Sequence, residues 1–210
     1  MSWRDLAPQL FRPVRVQKDM AAVALEHDAE LMLRAKNGDE ASFGALLARQ
    51  RGPVVHFLYR MVGNQAVAEE LGQEVFLRVY RARSSYEPTA KFATWLFRIA
   101  SHVALNHLRD RKGDNRVASL DAQEPDARGL QVADARPNVE QEMVRDARLR
   151  KVREAVAALP DKQRAAVLMH KYQEMGYAQI AEALECSESA VKSLLFRAYE
   201  SLRARLADCV

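Results

Sequence analysis

Along most of the chain apolar residues recur every three or four positions, the period of an amphipathic helix. From Asp28 the period is carried by Leu31, Met32 and Ala35 and breaks at Asn37-Gly38-Asp39. Asp39 can cap the next helix, which runs through Phe43, Leu46 and Leu47. Another helix carries Val54, Val55, Leu58 and Met61 and ends near Gly63-Asn64. On a wheel spanning Gln65 to Arg83, Val67, Leu71, Val75 and Val79 share one side. A helix beginning near Phe92 has Phe92, Leu96, Ile99 and Val103 as its core stripe. Beyond Pro137, helices are expected over about Val139 to Leu159 and from Asp161 to Tyr172. Residues 1–27 read as a weakly structured extension with a short helix around Ala21 to Leu25.

Composition agrees with this all-α fold class. Only eight glycines and seven prolines occur in 210 residues, 49% of which are apolar and 29% charged, enough for packed cores. Cys186 and Cys209 sit in no CxxC pair and cannot fill a zinc site alone, so a reducing cytoplasm is expected, without metal or other cofactor. No uncharged run reaches the ~18 residues of a membrane span, and arginines and prolines interrupt the N-terminal stretch where a signal peptide is apolar.

The net charge of +4 is unevenly spread. Residues 76–116 hold nine Lys/Arg against three Asp/Glu, whereas residues 117–146 hold three against seven. The acidic stretch also collects Gly113, Pro125, Gly129 and Pro137 and has no sustained helical period, so it reads as a flexible linker. The expected organisation is therefore two small helical domains, 28–112 and 139–210, joined through 113–138.

Two faces of the first domain invite partners. Opposite the Val67 to Val79 stripe lie Glu70, Gln73, Glu74, Leu77 and Arg81, a polar surface with one large apolar residue set in it. This is either a stray exposed leucine or a docking surface for a helix of another protein. Between Pro88 and Arg109 there is no acidic residue. There Lys91, Trp95, Arg98, His102, Asn106 and Arg109 follow one another at steps of four, three, four, four and three, which keeps them on one helix face. Cations there can neutralise phosphates, Trp95 can stack on an unpaired base, and His102 and Asn106 can hydrogen-bond base edges. The competing reading has Trp95 capping the core. The preceding Ser84 to Ala90 loop, with Tyr86, is wide enough to receive an extruded base, or is a plain connector.

The second domain carries the sharper signal. Tyr177 to Leu184 forms a short helix with Ile180, Ala181 and Leu184 inward, Glu185-Cys186-Ser187 turns, and Ser187 or Ser189 caps a helix towards Ala207. With Val191 and Leu194 plugging the angle, this is the spacing of a helix-turn-helix. Its outward face holds Ser189, Lys192, Ser193, Phe196, Arg197 and Glu200. Lys192 and Arg197 can take guanine edges or phosphates, Ser193 a backbone oxygen, and Phe196 a thymine methyl. Glu185 stands where many such turns have glycine for a left-handed backbone.

The runs NQAVAEELGQEVFLRVYR, KFATWLFRIASHVALNHLRDRK and LPDKQRAAVLMHKYQEMGYAQIAEALECSESAVKSLLFRAYESL together resemble a bacterial RNA polymerase sigma factor of the extracytoplasmic function (ECF) group, over roughly residues 28 to 205. The resemblance implies that Glu70, Gln73, Glu74 and Leu77 face the clamp helices of the polymerase largest subunit. It also implies that the Ser84 to Ala90 loop, Tyr86 included, and the Lys91 to Arg109 stripe recognise and melt the minus-ten element. Ser189, Lys192, Ser193, Phe196 and Arg197 would read the minus-thirty-five element, and an anti-sigma factor would be a partner. Ser101, His102, Asn106 and Gly72 depart from the residues frequent in that family.

The alternative from another class is a stand-alone helix-turn-helix regulator with a sensory N-terminal domain, which would bind duplex DNA unaided. An enzyme ranks below both. His102 and His107 are five apart, not the i, i+4 pair of a metalloprotease, and no phosphate loop or nucleophile motif occurs.

Overall fold

A computed structural model describes residues 18–117 and 139–207. Among them the chain forms eight α-helices and no strand: α1 Lys18–Lys36, α2 Glu40–Val62, α3 Gln65–Ala82, α4 Phe92–Val117, α5 Val139–Ala157, α6 Asp161–Tyr172, α7 Tyr177–Ala183 and α8 Glu188–Arg205, with a 3-10 turn at Arg83–Ser85.

Local chemistry sets most boundaries. Asp39 accepts hydrogen bonds from the Ser42 amide (3.1 Å) and hydroxyl (2.7 Å), capping α2. The hydroxyl bond above all holds its carboxyl below the ordinary aspartate value. At the other end Gly63 takes a left-handed conformation (φ 77°) and its N–H reaches Tyr59 O at 2.8 Å. Asn64 then caps α3 through Val67 N.

Three stretches differ from the sequence expectation. The two helices expected on either side of Gly52-Pro53 are one helix, α2, with Pro53 inside it. An interior proline costs about 3 kcal/mol, but Val54, Phe57, Leu58 and Met61 all bury beyond it. At roughly 1.5–3 kcal/mol for each such side chain, core packing outweighs the lost bond. The first helix starts at Lys18, well before the Asp28 at which the periodic pattern begins. Asp28 itself is buried, 2.9 Å from Arg49 Nε and accepting from Gln50 Nε2 at 2.6 Å, which ties α1 to α2. Finally α4 continues to Val117, into the stretch read as linker; the rest of that stretch, 118–138, and residues 1–17 lie outside the described residues.

Helices α1–α4 make the first domain. A Cβ on Gly72 would stand 3.0 Å from Val55 Cγ2, so the absent side chain is what lets α3 approach α2 this closely. In the second domain, Ser187 rather than Ser189 caps α8, accepting from Ala190 N at 3.1 Å. Ile180, Ala181, Leu184 and Val191 bury between α7 and α8 as the helix-turn-helix pattern requires.

The two domains do not stand apart, and their apolar residues form one continuous cluster. Arg164 of α6 donates to Met61 O near the C-terminal end of α2, where a cation also meets the negative end of the helix dipole. Arg60 lies over the Tyr172 ring at 4.1 Å, and Lys112 pairs with Asp161 at 2.5 Å.

Candidate nucleic-acid and polymerase interfaces

The outward face of α8 is built from spacing alone. Val191, Leu195, Ala198 and Leu202 point into the domain and are buried. Their helical complement, Ser189, Lys192, Ser193, Phe196 and Arg197, is exposed and lines one shallow concavity. Phe196 is 68% exposed, the most of any large apolar side chain among the described residues. Ser193 Oγ donates to Ser189 O at 3.0 Å, leaving its lone pairs outward. An apolar ring held between two cations, with hydroxyls beside it, has the donors and the methyl-sized contact that a major-groove edge offers.

Behind this face, His170 Nδ1 lies 2.9 Å from the Tyr199 hydroxyl and the His170 ring lies against Tyr177. Burial lowers the His170 pKa, with Lys171 adding to the effect, and raises that of Tyr199. The neutral pair braces α6 against α8.

On α4 the expected stripe is present but uneven. Lys91, Asn106 and Arg109 are exposed, whereas Trp95, Arg98 and His102 are half-buried. Trp95 packs edge-on against Tyr86 with ring centroids 5.0 Å apart and lies 5.8 Å from Phe92, so its ring both caps the core and shows an edge to solvent. The reading of Tyr86 as a nucleotide contact is corrected: it is 2% exposed and packs on Phe92 as well as Trp95. Lys36 Nζ also donates to Tyr86 O at 2.9 Å, tying the loop backbone to α1. The phenol pKa of Tyr86 is raised by burial.

Sequence reasoning missed Thr94 and took Ser101 only as a departure from the family; both are fully buried on α4. Two small hydroxyl residues seven apart lie on one helix face, and that repeat was the available signal. They face α7: Gln179 Nε2 donates to Thr94 Oγ1 at 3.1 Å, and the Ser101 hydroxyl is shared between Arg98 O (2.9 Å) and Ala183 O (3.2 Å). His102 Nε2 lies 3.7 Å from Glu185 Oε1.

The third surface, on α3, is as expected. Glu70, Gln73 and Leu77 are exposed, Leu77 at 50%, with Glu74 beside them holding Arg78 at 2.7 Å. The leucine is thus set among polar side chains, with exposed Arg81 one turn on, opposite the buried Val75 and Val79.

These surfaces coincide with two family matches. Residues 46–113 match Sigma-70 region 2 and residues 149–202 match Sigma-70 region 4. The chain is 30% identical over 179 residues to the ECF RNA polymerase sigma factor SigW of Bacillus subtilis, an alignment covering 83% of this chain and 94% of that one. It belongs to the sigma factors. A second relative, the RNA polymerase sigma factor CarQ of Myxococcus xanthus, is 33% identical over 178 residues, with 84% and 96% covered. A third, the RNA polymerase sigma-H factor of Pseudomonas aeruginosa, is 29% identical over 180 residues, with 84% and 92% covered. In fold, this sigma factor is similar to CnrH in complex with the cytosolic domain of CnrY (TM-score 0.62, 21% identity, 87% and 98% covered). It is similar also to the sigma factor RpoE in complex with the anti-sigma factor NepR from Bartonella quintana (TM-score 0.64, 19% identity, 79% and 96% covered). It is an ECF-type factor that binds RNA polymerase, recognises promoters and serves transcription initiation. Among the described residues no helix is long and apolar enough to cross a membrane.

Proposed function

We propose that the three surfaces divide the work of promoter recognition. Leu77, with Glu70, Gln73 and Glu74, docks on the clamp helices of the polymerase largest subunit. Lys91, Trp95, Arg98, His102, Asn106 and Arg109 engage the minus-ten element as it opens. Ser189, Lys192, Ser193, Phe196 and Arg197 read the minus-thirty-five element as duplex. The observation that carries this assignment is Phe196, a large apolar ring left two-thirds exposed between Lys192 and Arg197 on the second helix of a helix-turn-helix. Packing within the domain gives no reason for that exposure, and a thymine methyl in the major groove does.

The chain acts by binding, in the cytoplasm, and the chemistry of RNA synthesis belongs to the core enzyme. An anti-sigma factor is its regulatory partner, a reading supported by the complexes in which its structural neighbours occur. A stand-alone regulator is not favoured, because residues 46–113 of the N-terminal domain match Sigma-70 region 2 rather than a sensor. The test is in vitro transcription with purified core polymerase on a library of promoter fragments, scored by start-site mapping. Defined start sites that depend on both core and this chain are expected; site-specific binding of duplex promoter by the free chain would overturn the assignment.

A further inference from the structure

We propose that His170 is a positioning residue for minus-thirty-five recognition: through the Tyr199 hydroxyl it fixes the rotation of α8 about its own axis, and so the register in which Lys192 and Phe196 meet the duplex. The inference rests on the assignment of the α8 face to the minus-thirty-five element.

What α8 needs beyond packing follows from its buried stripe. Val191, Leu195, Ala198 and Leu202 carry no polar side-chain atom, and apolar burial is non-directional. Such a stripe resists lifting of the helix more than a small roll about its axis. The consequence of a roll falls on the reading face. Where long side chains reach about 6 Å from the axis, a roll of ~10° moves their tips by about 1 Å. A hydrogen bond is confined to heavy-atom distances of roughly 2.7–3.2 Å, so a shift of that size separates a good base contact from none.

A directional contact sits where it can stop the roll. Tyr199 follows Lys192 by seven residues, two turns of helix, which places the two nearly in line along α8. Phe196 is its neighbour one turn back. The Tyr199 hydroxyl lies 2.9 Å from Nδ1 of His170 on α6. The imidazole is held in its turn, with ring centroids 5.7 Å from Tyr177, the first residue of α7, and 6.4 Å from Tyr199. Rings from α6, α7 and α8 therefore meet at one point, and Lys171 Nζ stands 5.7 Å over the Tyr199 ring. Burial, with Lys171 adding to it, keeps the His170 pKa below its ordinary value. The imidazole thus meets the hydroxyl neutral, with one nitrogen to donate and the other to accept. Both side chains are half-buried, and neither lines the concavity that holds Lys192, Phe196 and Arg197. They act on the reading face from behind it.

Competition transcription tests this with the full chain and core polymerase. Two fragments share one tube: a promoter recovered from the fragment library, and the same promoter with one base pair of its minus-thirty-five element exchanged, each position in turn. The transcript ratio reports discrimination. A variant that merely folds less well leaves it unmoved, because unfolded chain is lost to both fragments alike. A mismatch typically costs about tenfold, so the unmodified chain should favour the intact promoter by roughly that factor. His170→Phe and Tyr199→Phe each keep a ring and lose the bond, and each should lower the ratio at least threefold. The double variant should lower it no further, since both changes remove the same bond. His170→Gln, whose amide can still pair with the hydroxyl, should keep most of the discrimination. A ratio unchanged in either phenylalanine variant would overturn the positioning role. An equal fall in His170→Gln would overturn it too, because the imidazole would then act by its shape alone. Absence of any preference in the unmodified chain would overturn the assignment of the α8 face instead.

Discussion

Helices α4 and α8 each present an aromatic residue among cations, yet the two faces are made differently. On α8 the ring of Phe196 stands in solvent, because every apolar neighbour at helical spacing faces the other way. On α4 the ring of Trp95 leans on Tyr86 and Phe92, and the next turns of the helix are covered by the second domain. A face that binds intact duplex needs only to protrude. A face that takes hold of unpaired bases needs a firm backing for stacking, which Tyr86 and Phe92 give to Trp95.

The largest effect should come from the protruding face. Lys192→Ala with Arg197→Ala removes two contacts worth about 1–3 kcal/mol each if they reach bases, so promoter-specific transcription should fall by roughly thirtyfold or more while co-purification with core is unchanged. Equal loss of both would show that α8 does not read promoter. Next comes the polymerase face: Leu77→Asp puts a charge where an apolar anchor is needed and should weaken core association about tenfold or more, read in a competition pull-down. Unchanged retention would return Leu77 to an ordinary exposed leucine.

Trp95 separates the two roles on α4. Trp95→Ala should lower the unfolding free energy by about 2 kcal/mol, less than a fully buried aromatic would, and should also impair strand opening. Trp95→Phe keeps an aromatic surface against Tyr86 and should recover most of the stability. Permanganate footprinting on the Trp95→Phe protein then isolates the stacking role. Normal opening with both variants would reduce Trp95 to a core cap.

How far these faces could be read from the sequence follows the same division. The exposed faces of α8 and α3 depend on residues within a few turns of one another, and spacing located their exposure, although it left the cap of α8 open between Ser187 and Ser189. Tyr86 was misread because its burial depends on how the loop folds back, with Phe92 and Trp95 against its ring and Lys36, fifty residues earlier, on its carbonyl. The contact of Ser101 was not legible because its partner, Ala183, lies 82 residues along the chain. That the Phe43 to Leu47 and Val54 to Met61 stretches join into one helix was not legible, because the burial of Phe57 and Leu58 that outweighs the local cost of Pro53 depends on the rest of the fold. Periodicity reports which way a residue points on its own helix, and says nothing of what later arrives in front of it.

The smallest expected effect concerns the brace behind the α8 face. A histidine whose pKa is lowered by folding binds fewer protons folded than unfolded near pH 6, so stability rises with pH there. His170 is such a group. Its contribution should be complete above the ordinary histidine value of about 6.5 and should decline as pH falls below it. His56 in α2 is lowered by burial as well, so the whole chain drifts in the same direction and a single pH series cannot assign the loss. His170→Gln resolves this, since its amide can still bond the Tyr199 hydroxyl but does not titrate. Between pH 7.5 and 5.5 the wild-type melting temperature should drop further than that of the variant. Identical slopes would mean that the His170 to Tyr199 contact opens freely to solvent and does not brace α8, and the exposed face of Phe196 would then owe its position to the buried Val191, Leu195 and Leu202 alone.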